Sequence, residues 1–111
     1  MPEYQIPKTP SAYEFPLLIR HLLSRLSAQH TEQKIVYGDG RQFSYGDFFE
    51  RVQRFANGLR SLGIGPGDTV AMMDWDSHRY LECFFAVPMI GAVLHTINIR
   101  LAPEQILYTI N

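Results

Sequence analysis

A single cysteine, Cys83, stands among the 111 residues, so no internal disulfide is available and a reducing cytoplasm is the expected setting. Charge of one sign is also lacking. Ten Lys plus Arg oppose 11 Asp plus Glu, giving a formal charge of −1 with no run of basic residues. The sequence-independent attraction to phosphates on which most nucleic-acid and anionic-membrane binding depends is therefore missing, and nucleic acid is not expected as a partner. The longest stretch without a charged or strongly polar side chain runs only from Cys83 to Leu94 and carries Pro88 and Gly91. A bilayer needs about 20 apolar residues, so no transmembrane segment is expected. Met1-Pro2-Glu3-Tyr4-Gln5 has neither the basic start nor the apolar stretch of a secretory signal.

What is present suffices for a core. The chain is 46% hydrophobic and 13% aromatic, and a domain of this size can bury roughly 60–70% of the surface that its unfolded chain exposes. One domain at most follows, and disorder is excluded as the main reading. Residues 1–14, with Pro2, Pro7 and Pro10 among polar neighbours, read as an extended arm; structure is expected over 15–111. Pro16 suits the first position of a helix in which Leu18, Leu22, Arg25 and Leu26 recur, ending near Ala28. Lys34–Tyr37 and Arg41–Phe43 flank Gly38-Asp39-Gly40, where Asp-Gly would supply the positive φ angles of a tight hairpin. Ser44 followed by Asp47 is a capping signal. It opens the longest helix, Tyr45 to Leu62, on the stripe Phe48, Val52, Phe55, Leu59 and Leu62, stopped by a left-handed Gly63.

Thr69–Met73 and Ala92–Ile97 alternate little, as strands covered on both faces do. Between them Ser77 caps a helix whose apolar side is Leu81, Phe84, Phe85 and Met89, ending at Gly91. Strand, helix and strand form a βαβ unit with parallel strands, so the fold class is α/β: that unit plus an N-terminal hairpin and helices. Pro103 and Glu104 open a last helix with Ile106, Leu107 and Ile110, and the sequence stops at Asn111 with no apolar element left to cover it. Two open sheet edges add to this, and an incomplete N-terminal subdomain is expected.

Few residues invite a chemical role. Gly63-x-Gly65-x-Gly67 follows a helix and opens a strand, the reverse of a dinucleotide fingerprint, so a turn is favoured over a phosphate loop. Asp74, Asp76 and His78 alternate after a strand end and could ligate a metal. The plainer expectation is that Asp76 and Ser77 cap the helix while His78 and Arg79 form its first-turn surface. Cys83 could pair with His78 or His95 as nucleophile and base, but a cysteine among helix aromatics is usually a small hydrophobe. His95 reads as a pocket or core residue, and Arg100 as an exposed cation or a salt-bridge partner, both left open. Met72, Met73 and Met89 with Phe84, Phe85 and Trp75 could line an acyl pocket, although core packing also explains them.

Phe43-Ser44-Tyr45-Gly46-Asp47-Phe48, Ala56-Asn57-Gly58-Leu59 and the run from Leu62 to Ala71 resemble the start of the adenylate-forming, AMP-binding enzymes. The run from Tyr80 to Leu101 is similar to their fatty-acyl-CoA synthetase branch, and the resemblance extends from Phe15 to Asn111. It implies the first part of a large N-terminal domain, and an activity that joins a fatty or related carboxylic acid to coenzyme A. ATP first forms an acyl-adenylate with release of pyrophosphate, and the acyl group then passes to the thiol. ATP, Mg²⁺ and coenzyme A are the implied cofactors of the full-length enzyme, and a homodimer is the implied assembly. The family's Gly/Ser/Thr-rich phosphate loop, aromatic-Gly-x-Thr-Glu segment, ribose-binding aspartate and C-terminal lysine find no match here. No catalytic, cofactor-binding or metal residue is therefore assigned, and the 111-residue fragment is expected to be inactive without cofactors of its own. Ala102 stands where relatives often carry Ser or Thr, a lost cap of ~1 kcal/mol. A self-contained oligomerising interaction module and a small stand-alone nucleotide-binding protein are the competing readings.

Overall fold

The computed structural model describes residues 7–111, with the side chains of Leu26 and Ser27 also outside the description. Residues 1–6 of the expected arm thus lie outside the described residues. Four helices and four strands follow in the order α1 (Ile19–Gln29), β1 (Lys34–Tyr37), β2 (Arg41–Ser44), α2 (Tyr45–Ser61), β3 (Thr69–Met72), α3 (His78–Met89), β4 (Val93–Thr96) and α4 (Pro103–Ile110). The strands form two separate pairs. β1 and β2 are antiparallel, with Lys34 opposite Ser44 and Tyr37 opposite Arg41. β3 and β4 are parallel, with Thr69 beside Val93 and Met72 beside Thr96. The expected βαβ unit is therefore present, with α3 as its crossover. Among the described residues no helix is long and apolar enough to cross a membrane.

α1 begins later than expected. Pro16 precedes the helix by three residues, and its carbonyl accepts from the Leu18 N–H in a tight turn instead. Among the described side chains of α1, Leu23 is buried at 1% exposed, whereas Leu22 of the expected stripe is 60% exposed. The hairpin loop also differs. Gly38-Asp39-Gly40 is the three-residue loop, but of Asp39 and Gly40 only Gly40 has positive φ (86°), and its N–H donates to the Tyr37 carbonyl at 2.9 Å.

α2 starts as its sequence requires. The Ser44 hydroxyl accepts from the Asp47 N–H at 3.0 Å, and the Asp47 carboxylate accepts from the Ser44 N–H at 3.3 Å. Its buried face is Phe48, Val52, Ala56 and Leu59; Phe55 packs at the margin, and Leu62, in the cap beyond the last turn, is exposed. Both α2 and α3 end in the same way. The N–H groups of Gly63 and Ile64 reach back to the carbonyls of Arg60 and Leu59, and those of Gly91 and Ala92 to Pro88 and Val87. These are Schellman closures around left-handed glycines at φ 84° and 82°.

α2 packs on α3, α1 touches both, and α3 lies against the parallel pair. Leu23, Val52, Cys83 and Val87 are fully buried at the centre, each aliphatic side chain contributing about 1.5–3 kcal/mol. The expectation of two covered strand faces fails among the described residues. Val70, Met72 and Leu94 pack inward, while Thr69, Ala71 and Val93 are exposed. β3 alternates as a one-sided strand does, whereas in β4 Leu94 and His95 are both half-buried. The α3 stripe is also rotated from the one expected. Glu82, Cys83, Ala86 and Val87 are buried, Phe85 and Met89 pack beside them, and Leu81 and Phe84 face outward. α4 buries no residue and leaves Leu107, Tyr108 and Ile110 exposed; its start lacks a side-chain cap at Ala102, whose N–H donates to Gln105 Oε1 at 3.2 Å.

Gly91 carries a second duty. A Cβ there would lie 3.2 Å from Pro66, and its carbonyl accepts from the Gly67 N–H at 3.1 Å. Gly91→Ala should combine left-handed strain with this contact and cost about 2 kcal/mol. Gly58→Ala, in the open interior of α2 with nothing within 4 Å of the new methyl, should instead stabilise by about 0.5–1 kcal/mol. Thermal melts of the two variants should therefore shift in opposite directions.

Candidate functional site

In parallel α/β arrangements, ligands settle beyond the carboxyl ends of the strands. Here that edge carries a groove of about 250 Å³ between the loop after β3 and the loop after β4, walled by Trp75, Tyr80 and Phe84 and bordered by Asp74, Asn98 and Arg100. The first loop is stiffened by its own polar groups. Asp74 Oδ2 accepts from the Ser77 hydroxyl at 2.7 Å, and Oδ1 from the Trp75 N–H at 2.8 Å. Ser77 Oγ in turn accepts from the Tyr80 N–H at 3.2 Å, so the α3 cap and Asp74 are one unit. The hydrogen bond from Ser77 holds the Asp74 carboxyl below the usual carboxylate range, helped by the Trp75 N–H and the Arg79 guanidinium. The Tyr80 hydroxyl donates to the Met72 carbonyl at 3.4 Å. Across the groove the Arg100 guanidinium stands 5.7 Å from the centre of the Trp75 ring, a cation–π contact, and the Asn98 side chain accepts from the Arg100 N–H.

A second depression, about 290 Å³, lies on the other side of Phe84 between α3 and the hairpin, lined by Ile35, Tyr37, His78 and Leu81. His78 is not first-turn surface. The residue is 6% exposed; its ring stacks on Phe43 with centroids 4.6 Å apart and planes 26° apart, and Tyr37 meets it edge-on at 5.1 Å and 62°. Sequence reading missed the neighbouring ion pair. Arg51 Nε donates to Glu82 Oε1 at 2.5 Å, and the same guanidinium lies 5.0 Å from the Phe43 ring centre. The available signal was position: Arg51 borders the α2 stripe beside Val52, and Glu82 precedes Cys83 on the buried side of α3.

The structure separates most of the residues that the sequence suggested might combine. Asp74 is committed to Ser77, and His78 to the hairpin rings. Among the described residues no group of three His, Cys, Asp or Glu side chains is placed to hold a metal. Cys83 is buried, and burial with the nearby Glu82 and Asp74 carboxylates pushes its thiol up, opposite to an activated nucleophile. His95 is half-buried on β4 beside Ala71. Of the suggested acyl-pocket residues, Met72, Met89 and Phe85 belong to the core, Met73 and Trp75 are exposed, and Phe84 divides the two depressions. The Gly63–Gly67 segment does not fit a phosphate: the Gly65 N–H already donates to Asp68 Oδ2 at 2.8 Å, so a carboxylate occupies the donor. No chemical step is assigned to the described residues.

Residues 24–111 match the pattern of the AMP-binding enzyme family. The chain is 46% identical over 74 residues to a long-chain-fatty-acid–CoA ligase of Thermus thermophilus, covering 67% of this chain and 14% of that protein. It is 35% identical over 100 residues to a 3-methylmercaptopropionyl-CoA ligase of Ruegeria lacuscaerulensis, covering 86% and 19%. Among solved structures it resembles the N-terminal domain of FACL13 from Mycobacterium tuberculosis, with a TM-score of 0.75 and 25% identity over 82% of this chain and 23% of the other. The fold also matches an anthranilate CoA ligase, AuaEII, solved with anthranoyl-AMP, with a TM-score of 0.76 at 23% identity over 85% and 19%. The chain thus spans about a fifth or less of the length of these two ligase relatives.

Proposed function

The chain belongs to the AMP-binding enzyme family, and from that premise we propose that it is the N-terminal portion of an ATP-dependent fatty-acid–CoA ligase. The reaction is acid plus ATP plus coenzyme A to acyl-CoA, AMP and pyrophosphate, by way of an acyl-adenylate. The observation that carries this reading is the 46% identity to the Thermus fatty-acid ligase over 74 residues, 67% of this chain. The part played by these residues is support. The Ser77–Asp74 lock and the Schellman closures fix the strand ends and helix starts against which a larger active site is built. ATP, Mg²⁺ and coenzyme A are cofactors of the full-length enzyme in this proposal. A fatty or related carboxylic acid is its substrate and a homodimer its assembly. A reducing cytoplasm is its setting, supported by the single free cysteine.

Two measurements test the proposal. Purified residues 1–111 given ATP, Mg²⁺ and a long-chain fatty acid should show no pyrophosphate exchange above a buffer control; robust exchange would refute the support role. Residues 24–111, exchanged into the matching segment of the Thermus ligase, should leave acyl-CoA formation within about tenfold of the parent. A folded chimera without activity would refute the ligase reading.

A further inference from the structure

The support role makes no use of the slot that holds His78. Its imidazole lies between rings from both strands of the hairpin, Phe43 of β2 at 4.6 Å and Tyr37 of β1 at 5.1 Å, and its Nδ1 is buried with no hydrogen-bond partner in the protein. At its base the hairpin is tied by backbone bonds, Tyr45 N–H to the Gln33 carbonyl and Gly46 N–H to that of Thr31. Toward the loop, the ring contacts of Tyr37 and Phe43 with His78 join it to α3. The surrounding charges oppose a second cation. Arg79 on α3, Arg51 on α2 and Arg41 on β2 all act against protonation. Glu82, one turn along α3, acts in its favour, but that carboxylate is engaged by Arg51 at 2.5 Å. The Tyr37 phenol of β1 and the Asp76 carboxylate line the same depression.

We propose that His78 is a proton-operated latch: the neutral ring pins Tyr37 and Phe43 and docks the β1–β2 hairpin on α3, and the protonated ring leaves the slot and frees the hairpin tip. Release would widen the adjoining depression lined by Ile35, Leu81 and Phe84. The direction follows from burial, which lowers the imidazole from its ordinary value of 6.5. Docking is at full strength above pH 6.5 and weakens as pH falls from there through the lowered value of the docked state.

Hydrogen exchange of the 111-residue chain at pH 7.5 and pH 5.0, corrected for intrinsic rates, reads the latch directly. Protection of the β1 and β2 amides should fall several-fold at the lower pH, while α2 amides hold. His78→Phe keeps an aromatic ring without a proton to gain, and its hairpin protection should not change with pH. Equal protection of the native hairpin at both pH values would overturn the proposal, as would the same fall in His78→Phe or a fall shared by α2. If His78→Phe does not fold, the ring titration of His78 in the native chain by NMR decides: a midpoint below 6.5 upholds the latch, and one at or above 6.5 overturns it.

Discussion

Phe48→Ala should destabilise the chain by about 3–5 kcal/mol, the range for a buried phenylalanine replaced by a methyl group. Phe48 is 3% exposed on α2 and meets Phe85 of α3 edge to face, with centroids 5.7 Å apart and the planes at 83°. The substitution removes a ring from the main helix–helix contact and leaves a cavity that Val52 and Ala56, fixed on the same helix face, cannot fill. Domains of this size are stable by only about 5–15 kcal/mol, so most of the reserve would go. Urea unfolding followed by far-UV circular dichroism should show the midpoint collapse, and Phe48→Leu, which retains much of the volume, should lose less than half as much. A loss under ~1 kcal/mol for Phe48→Ala would mean that α2 and α3 are not held through this contact.

Arg51→Met should cost about 2–3 kcal/mol because it strands a carboxylate. Glu82 is 7% exposed and depends on the 2.5 Å bond from Arg51. Breaking a fully buried pair by removing one partner costs about 3–5 kcal/mol, but the Arg51 side chain is 41% exposed and water can reach the site, which reduces the figure. Glu82→Leu should cost less, about 1 kcal/mol, since the long Arg51 side chain can turn to solvent. The double variant Arg51→Met/Glu82→Leu should be more stable than Arg51→Met alone, because no charge is left in the α2–α3 seam. A double-mutant cycle by denaturant unfolding measures this, and additivity within about 0.5 kcal/mol would sink it.

The local punctuation of the fold was legible in the sequence because its causes are local. Ser44 with Asp47, Ser77 before His78, and Gly63 and Gly91 after their helices act over three or four residues, and each did in the structure what its chemistry requires. The parallel pairing of β3 with β4 followed from an intervening helix of fixed length. Helix faces were less legible. Leu22, Leu62, Leu81 and Phe84 all look like core by spacing, yet they face outward, while Leu23, Ala56 and Cys83 are buried. An apolar stripe allows a range of rotations, and only the neighbouring helix selects one of them. Pro16 misled for a related reason: its fixed φ suits a helix start, but here it serves a turn before one.

The amino-acid sequence by itself determined the α/β class, the order of the elements, their caps and the family to which the chain belongs, since all of these rest on short-range spacing or on residues in a fixed order. Tertiary structure alone decided the arrangement of the long-range pairs. Arg51 and Glu82 are 31 positions apart, and His78 meets rings from two strands that precede it by a whole helix. Such partners are chosen by how α2 and α3 pack, and the energy that chooses them, hydrophobic burial, is non-directional and leaves no spacing rule in the sequence.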